Sequence, residues 1–250
     1  MTTSMRHART EQLLGEEGLE TLKDARVTLC GLGAVGSFAA EALARAGVGH
    51  LTLVDYDVVS PSNINRQLYA LTSTVGMKKT AVAEARIKDI NPECEVTVFD
   101  CFLNEETTDK ILAHPRDVVV DAIDSLSAKV FLIIDARKLG LPVVSSMGAA
   151  GKLDSDAITC ADISDTCICP LAKCVRRRLH RNGVFDGVRC VYTTERTMKN
   201  PSAVAEEPAD DGFRAAPVLG SISYITGIFG LKVAGEVIRI ILEKRQGEGI

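Results

Sequence analysis

The sequence predicts an α/β fold with a doubly wound, mostly parallel sheet, and three observations carry that prediction. Short apolar runs alternate with longer helical patterns over residues 27–146, as expected for βα units laid against a parallel sheet. The first apolar run leads straight into Gly31-Leu32-Gly33-Ala34-Val35-Gly36, a G-x-G-x-x-G turn of the kind that joins a strand to a helix in Rossmann-like sheets. After residue 150 the alternation fades, and the chain ends in a long apolar helical pattern over 218–244. This adds a C-terminal extension and a late apolar helix to the basic unit.

Residues 26–57 organise the rest. Val27 to Cys30 reads as a buried strand, because it is apolar throughout rather than alternating. In the turn, Gly31 allows the tight bend, Gly33 lets a phosphate approach the backbone, and Gly36 lets helix and strand pack closely. A helix over 35–46 follows and is stopped by Gly47; its free N–H groups would face an anion. A second strand over 50–54 ends on Asp55, an acid roughly 20 residues beyond the glycines and so placed to bond a ribose hydroxyl. The strand, turn, helix, strand and acid occur in the order a nucleotide site requires. A merely structural Gly-rich turn needs only the glycines.

Before this unit, Arg6 and Arg9 precede a helix expected over 10–22. Their spacing of three puts both on one face, as a cationic contribution to a site or as a solvated charged surface. After Asp55, the stretch Tyr56-Asp57 to Arg66-Gln67 contains Ser60-Pro61-Ser62-Asn63, a loop signal. A loop at a strand's carboxyl end is where open α/β sheets bind ligands. Lys78-Lys79 then opens a helix over 80–90, stopped at Asn91-Pro92. A third strand is expected over 96–99 and a helix over 105–113. A fourth strand over 118–125 carries Asp121 and Asp124; a helix over 126–139 and a strand over 142–146 complete the second run. The division expected is residues 1–150 as an ATP-binding unit and 151–250 as a substrate or dimer extension of the same fold.

Composition narrows the classes. With 46% hydrophobic residues the chain can bury a real core, and a net charge of −4 gives no global attraction to nucleic acid. The polar N-terminal stretch lacks the apolar centre of a signal peptide. The longest uncharged stretch, 215–231, holds Pro217, Gly220, Gly227 and Gly230 and reads as a buried helix rather than a membrane span. Eight cysteines in a chain of this length without an export signal read as reduced thiols, and the location expected is cytoplasmic.

Taken together, Gly31-x-Gly33-x-x-Gly36, Asp55-x-Asp57, Asn63-x-x-Arg66-Gln67, Gly76-x-x-Lys79 and Asp121-x-x-Asp124 resemble the adenylating superfamily of ubiquitin-activating type, which includes the ThiF-like and MoeB-like adenylyltransferases. The later half is similar to one branch of it, the tRNA threonylcarbamoyladenosine dehydratases. That similarity rests on Gly148-Ala-Ala-Gly151, on the stretch from Asp162 to Lys173 and on Cys190-Val-Tyr-Thr-Thr-Glu195. The resemblance implies attack of a carboxylate on the α-phosphate of ATP. It implies Arg9, Arg66 and Lys79 as cations around the transition state, with Arg66 reaching a neighbouring subunit of a homodimer. Asp124 would hold Mg²⁺, a hard cation that prefers carboxylate and phosphate oxygens. Gly31, Gly33, Gly36, Asp55, Asp57, Asn63, Gln67 and Ser125 would contact the nucleotide, and the ion set leaves room for a monovalent cation. The substrate implied is the threonylcarbamoyl group of a modified adenosine in tRNA, closed to a ring with loss of water.

Other features bear on the rivals. The sulfur-carrier branch of the superfamily has paired Cys-x-x-Cys motifs for zinc. This chain has only Cys167-Ile-Cys169 with Cys174, so no structural zinc is expected. Dehydratase relatives often carry a cysteine before the late helix where Ala215 stands here, which counts against a sulfur-transfer partner. Lys173, Arg176, Arg177, Arg178, His180 and Arg181 form a basic helical run, read either as a contact for tRNA phosphates or as a solvated face. Residues 195–217 read as a mobile loop. The alternative activity is adenylation of the C-terminal Gly-Gly of a sulfur-carrier or ubiquitin-like protein. A non-catalytic NAD-binding module is a third reading, and it leaves Arg66 and Lys79 without a purpose.

Overall fold

The computed structural model describes residues 5–198 and 219–247. Seven strands form one sheet: β1 (Arg26–Cys30), β2 (His50–Val54), β3 (Glu95–Phe99), β4 (Val118–Asp121), β5 (Val143–Ser146), β6 (Ile158–Asp162) and β7 (Val188–Thr193). Their order is β3-β2-β1-β4-β5-β7-β6, and every neighbouring pair is parallel except β6–β7. The chain runs outward from β1 to β3 and then returns to place β4 on the other side of β1. Between β1 and β4 the winding therefore reverses, and this is the point where open α/β sheets leave a crevice.

Both faces are covered. Helices α1 (Ala8–Asp24), α2 (Gly36–Ala46), α3 (Lys79–Ile90) and α7 (Ser223–Gly247) lie over one face, with Leu22, Leu43, Ile87 and Phe229 in a common core. Helices α4 (Glu105–Leu112), α5 (Leu126–Lys138) and α6 (Pro170–His180) cover the other with Ile111, Leu132 and Val175. The all-apolar strands sit between these layers; β4 and β5 are buried at every position, as the unbroken apolar runs require.

The structure adjusts two expectations. The fourth strand stops at Asp121 rather than at residue 125, because the Asp121 carboxylate accepts the Ile123 N–H at 3.2 Å and turns the chain. Asp124 thus sits in a loop. The late helix starts at Ser223 rather than at 218, and it crosses α2 closely: a Cβ on Gly230 would lie 2.5 Å from the Val35 carbonyl oxygen. No described helix is long and apolar enough to cross a membrane. Most of the loop expected at 195–217, together with Ala215 and Pro217, lies outside the described residues.

Candidate nucleotide site

At the carboxyl ends of β1, β2, β4 and β5 lies a cavity of ≈ 810 Å³. Its floor is the glycine turn. Gly31 has φ +93°, and a Cβ there would stand 2.5 Å from the Ala122 carbonyl oxygen; a Cβ on Gly36 would overlap the Gly31 carbonyl. These two glycines are therefore demanded by backbone packing, whereas Gly33 faces open space with only Gln67 Nε2 at 3.8 Å. Among the described residues no protein acceptor takes the N–H groups of Gly33, Ala34 or Val35, all of which line the cavity. Free N–H groups at the start of α2 suit an anion.

Asp55 is the brace of this turn. Its Oδ2 accepts the Leu32 N–H at 2.6 Å and its Oδ1 accepts the Asp57 N–H at 2.9 Å. Burial pushes its carboxyl up, opposed by Lys79 and by those two N–H groups. Asp57 is more open and accepts a hydrogen bond from Lys79 Nζ at 2.6 Å. The Lys79 side chain is only 7% exposed, so its charge points along the cavity wall rather than into solvent.

The loop after β2 supplies the other cation. Asn63 fixes the loop internally, its Oδ1 accepting the Ser60 N–H at 3.1 Å while its carbonyl accepts from Arg66 and Gln67. Arg66 donates from Nη1 to the Ser62 carbonyl at 2.8 Å and to Asn65 Oδ1 at 2.9 Å, and it lines the cavity of its own chain. Ser37, which the sequence reading missed, ties this loop to the turn: its hydroxyl donates to the Gly33 carbonyl and accepts the Leu68 N–H. Asp124 and Ser125 complete the wall after β4, and the exposed Asp124 side chain makes no hydrogen bond among the described residues. A lone, exposed carboxylate beside a phosphate-sized cradle suits Mg²⁺, which is held by one or two carboxylates plus substrate phosphates.

A second missed feature lies beneath. Lys129 and Asp121 are both 0% exposed and pair at 2.6 Å; Lys129 also donates to the Ser146 carbonyl at 2.9 Å, and Ser145 Oγ donates to Asp121. This network joins β4, β5 and α5 directly under the Asp124 loop. Nothing in the local spacing announces it, because Lys129 stands in a helix whose apolar residues run unbroken from Val130 to Ile134 and define no single face.

Arg9 is not brought to the cavity. Arg6 donates to the Ile90 carbonyl and His7 packs on Gly47. Both contacts lie where α3 and α2 end and the next strands begin, at the opposite edge of the sheet. Arg9 follows two residues later and donates to Gln12 Oε1 at 3.0 Å.

In the basic run, Arg176 turns inward to the Ile163 and Thr166 carbonyls and Arg178 donates to Ser127 Oγ. Lys173, Arg177, His180 and Arg181 stay exposed around a shallow depression on α6. All eight cysteines are free thiols. Burial pushes those of Cys30, Cys94, Cys101, Cys160 and Cys190 up, Cys94 and Cys160 to about 11. No group of three metal-binding side chains occurs among the described residues.

The ThiF family model matches residues 5–249. The tRNA threonylcarbamoyladenosine dehydratase of Bacillus subtilis is 42% identical over 239 residues, covering 94% of this chain and 94% of that protein. The crystal structure of the Escherichia coli tRNA N6-threonylcarbamoyladenosine dehydratase in complex with ATP is similar with a TM-score of 0.86 and 35% identity, covering 98% of this chain and 96% of that one. The molybdopterin-synthase adenylyltransferase of Salmonella typhimurium is 38% identical, over only 55% of this chain and 54% of its own length.

Proposed function

The chain belongs to the ThiF family, and from that premise we propose that it uses ATP to dehydrate N6-threonylcarbamoyladenosine in tRNA. One observation carries the reading: the likeness to dehydratases runs over 94% of both chains, whereas the likeness to an adenylyltransferase stops at 55% of this one. The Gly-Gly adenylation reading is therefore set aside.

The chemistry follows from what the cavity offers. A substrate carboxylate attacks the α-phosphate, pyrophosphate leaves, and an acyl-adenylate forms. Negative charge grows on phosphate oxygens, and fixed cations in a half-buried wall stabilise it without reorganising. Lys79 and Arg66 supply that charge, and the free N–H groups of the glycine turn donate to phosphate oxygens. Asp55 and Asp57 hold the turn and the ribose, Asn63 and Gln67 shape the wall, and Asp124 and Ser125 border the phosphates. Asp124 would hold Mg²⁺, which when bound supplies neutralising charge to those oxygens. The neighbouring carbamoyl nitrogen or oxygen then attacks the activated carbon, AMP leaves, and a proton is released. Nucleophile and electrophile are already tethered, so ring closure needs no nucleophile from the protein.

Arg9 serves a second copy in this reading. Five-residue strands separate the two edges of the sheet by ~17 Å, too far for Arg9 to reach its own chain's phosphates. A homodimer that sets one chain's N-terminal segment at the other's cavity would deliver it, and residues 151–250 would provide the substrate and dimer contacts. The exposed cations of α6 contact tRNA phosphates, a local attraction on an otherwise acidic protein. A cytoplasmic location goes with that substrate. The test is mass spectrometry of digested tRNA after incubation with protein and ATP. The modified nucleoside should lose the mass of one water, and an unchanged nucleoside with protein that binds ATP would overturn the reading.

A further inference from the structure

The cavity is chemically two-sided, and the side over β5 is not used by the nucleotide residues described above. The lining over β1, β2 and β4 carries Asp55, Asp57, Arg66, Lys79 and Asp124. Among the described residues, the lining from Ser146 to Ala150, with Leu171 and the stretch Leu219–Ser221, carries no charged side chain. Side chains there are small: Gly148, Ala149 and Ala150 follow β5 in sequence and are all half-buried. Their N–H groups have no hydrogen-bond partner in the described fold. The flanking residues do, since Met147 N–H donates to the Val191 carbonyl and Gly151 N–H to the Gly220 carbonyl, each at 2.8 Å. The stretch is thus pinned at both ends, and among the described residues the three N–H groups in between meet no acceptor. Buried or half-buried backbone donors are rarely left unpaired.

Resting on the dehydratase reading, we propose that the Gly148–Ala150 segment is the subsite for the acyl half of the substrate, a compact group whose neutral urea faces the segment while its carboxylate faces the α-phosphate. The location fits the order of the sheet. Neighbouring strands lie about 4.8 Å apart, so a group seated over β5 meets the α-phosphate across β4, beside Asp124. The chemistry fits as well. A urea carbonyl needs N–H donors and gains nothing from a fixed charge. A free amino acid would bring an ammonium group into this half without any counter-charge, and the desolvation cost excludes it. The small side chains set the width; a longer one would occupy the acyl half while leaving the glycine turn, Asp55 and Lys79 untouched.

The experiment compares wild type, Ala150→Leu and Ala150→Ser for three readouts: ATP dissociation constant, melting temperature, and water loss from tRNA measured by mass spectrometry. Ala150→Leu should bind ATP within threefold of wild type and lose tRNA dehydration by tenfold or more, with a smaller loss in Ala150→Ser, as the smaller side chain requires. Wild-type dehydration by Ala150→Leu overturns the subsite. So does a parallel loss of ATP affinity at unchanged melting temperature, which would assign the segment to the nucleotide. If Ala150→Leu is itself unstable, Gly148→Ala carries the test, since a Cβ there meets Cys169 Sγ and Leu171 Cβ at 3.7 and 3.8 Å, ordinary contact distances. Its dehydration should fall while ATP binding holds, and unchanged dehydration overturns the proposal. A wild-type protein that binds ATP but leaves the nucleoside unchanged overturns the dehydratase reading itself, and the subsite with it.

Discussion

Two lysine–aspartate pairs, each at 2.6 Å, flank the same crevice and differ in one respect. Lys79–Asp57 has a buried lysine but a carboxylate that is 43% exposed, whereas Lys129–Asp121 is sealed on both sides. An open carboxylate can release its lysine to an incoming phosphate, because water or the nucleotide replaces what is lost. A sealed one has no substitute, so its pairing is permanent. On the proposed reading, the first pair stores a charge for chemistry, and the second fixes the backbone beneath it. Asp121 shows how: one carboxylate oxygen holds Lys129 and Ser145, while the other turns the chain at Ile123 toward Asp124.

The comparison breaks most visibly at the sealed pair. Lys129→Met leaves Asp121 charged and uncompensated, and unfolding measurements should show a loss of about 3–5 kcal/mol. Removing both charges, Lys129→Met with Asp121→Asn, should recover a large part of that loss. A single variant as stable as wild type would mean that the pair is not buried in solution. The open pair should respond the other way round. Lys79→Ala and Arg66→Ala should melt close to wild type but lose adenylation by ~10²-fold or more, the scale of removing one transition-state donor. Near-normal turnover in both would detach them from the phosphates. Asp124→Asn comes next. It should raise the Mg²⁺ concentration needed for half-maximal activity about tenfold, the worth of one charge-assisted contact. ATP affinity without metal should stay unchanged.

How much of this was legible in the sequence follows the same division. The glycine turn, Asp55, Asp57, Arg66, Lys79 and Asp124 lie at the ends of elements, where spacing along the chain fixes position in space. Lys129 meets Asp121 and Ser146 through three separate elements, and pairwise burial of that kind leaves no periodic trace. Strands β6 and β7 were unread for a related reason. Strand β6 forms an edge with four half-buried positions, and β7 carries Arg189, so neither shows an unbroken apolar run. The basic run of α6 was legible as a run, but its split was not. Arg176 turns inward because the Ile163 and Thr166 carbonyls need a donor there, a demand set by a distant loop.

A third pairing extends the series to the surface. Glu236 on α7 accepts from Arg189 Nε at 2.6 Å and Arg239 Nη2 at 2.7 Å. Burial pushes its carboxyl up, but the hydrogen bonds from Arg189 and Arg239 outweigh that and leave it below the usual range. A carboxylate whose folded pKa is depressed adds stability that is fully present above its unfolded value, about 4.3. That stability is lost as the pH falls through the lower folded value. Glu236→Gln should therefore cost about 1 kcal/mol at neutral pH, because solvent reaches both arginines and screens the pairs. It should also flatten the acid limb of the stability curve below about pH 4.3. An acid limb unchanged by Glu236→Gln would show that the two arginines find other partners, and that exposure alone does not grade the three pairs.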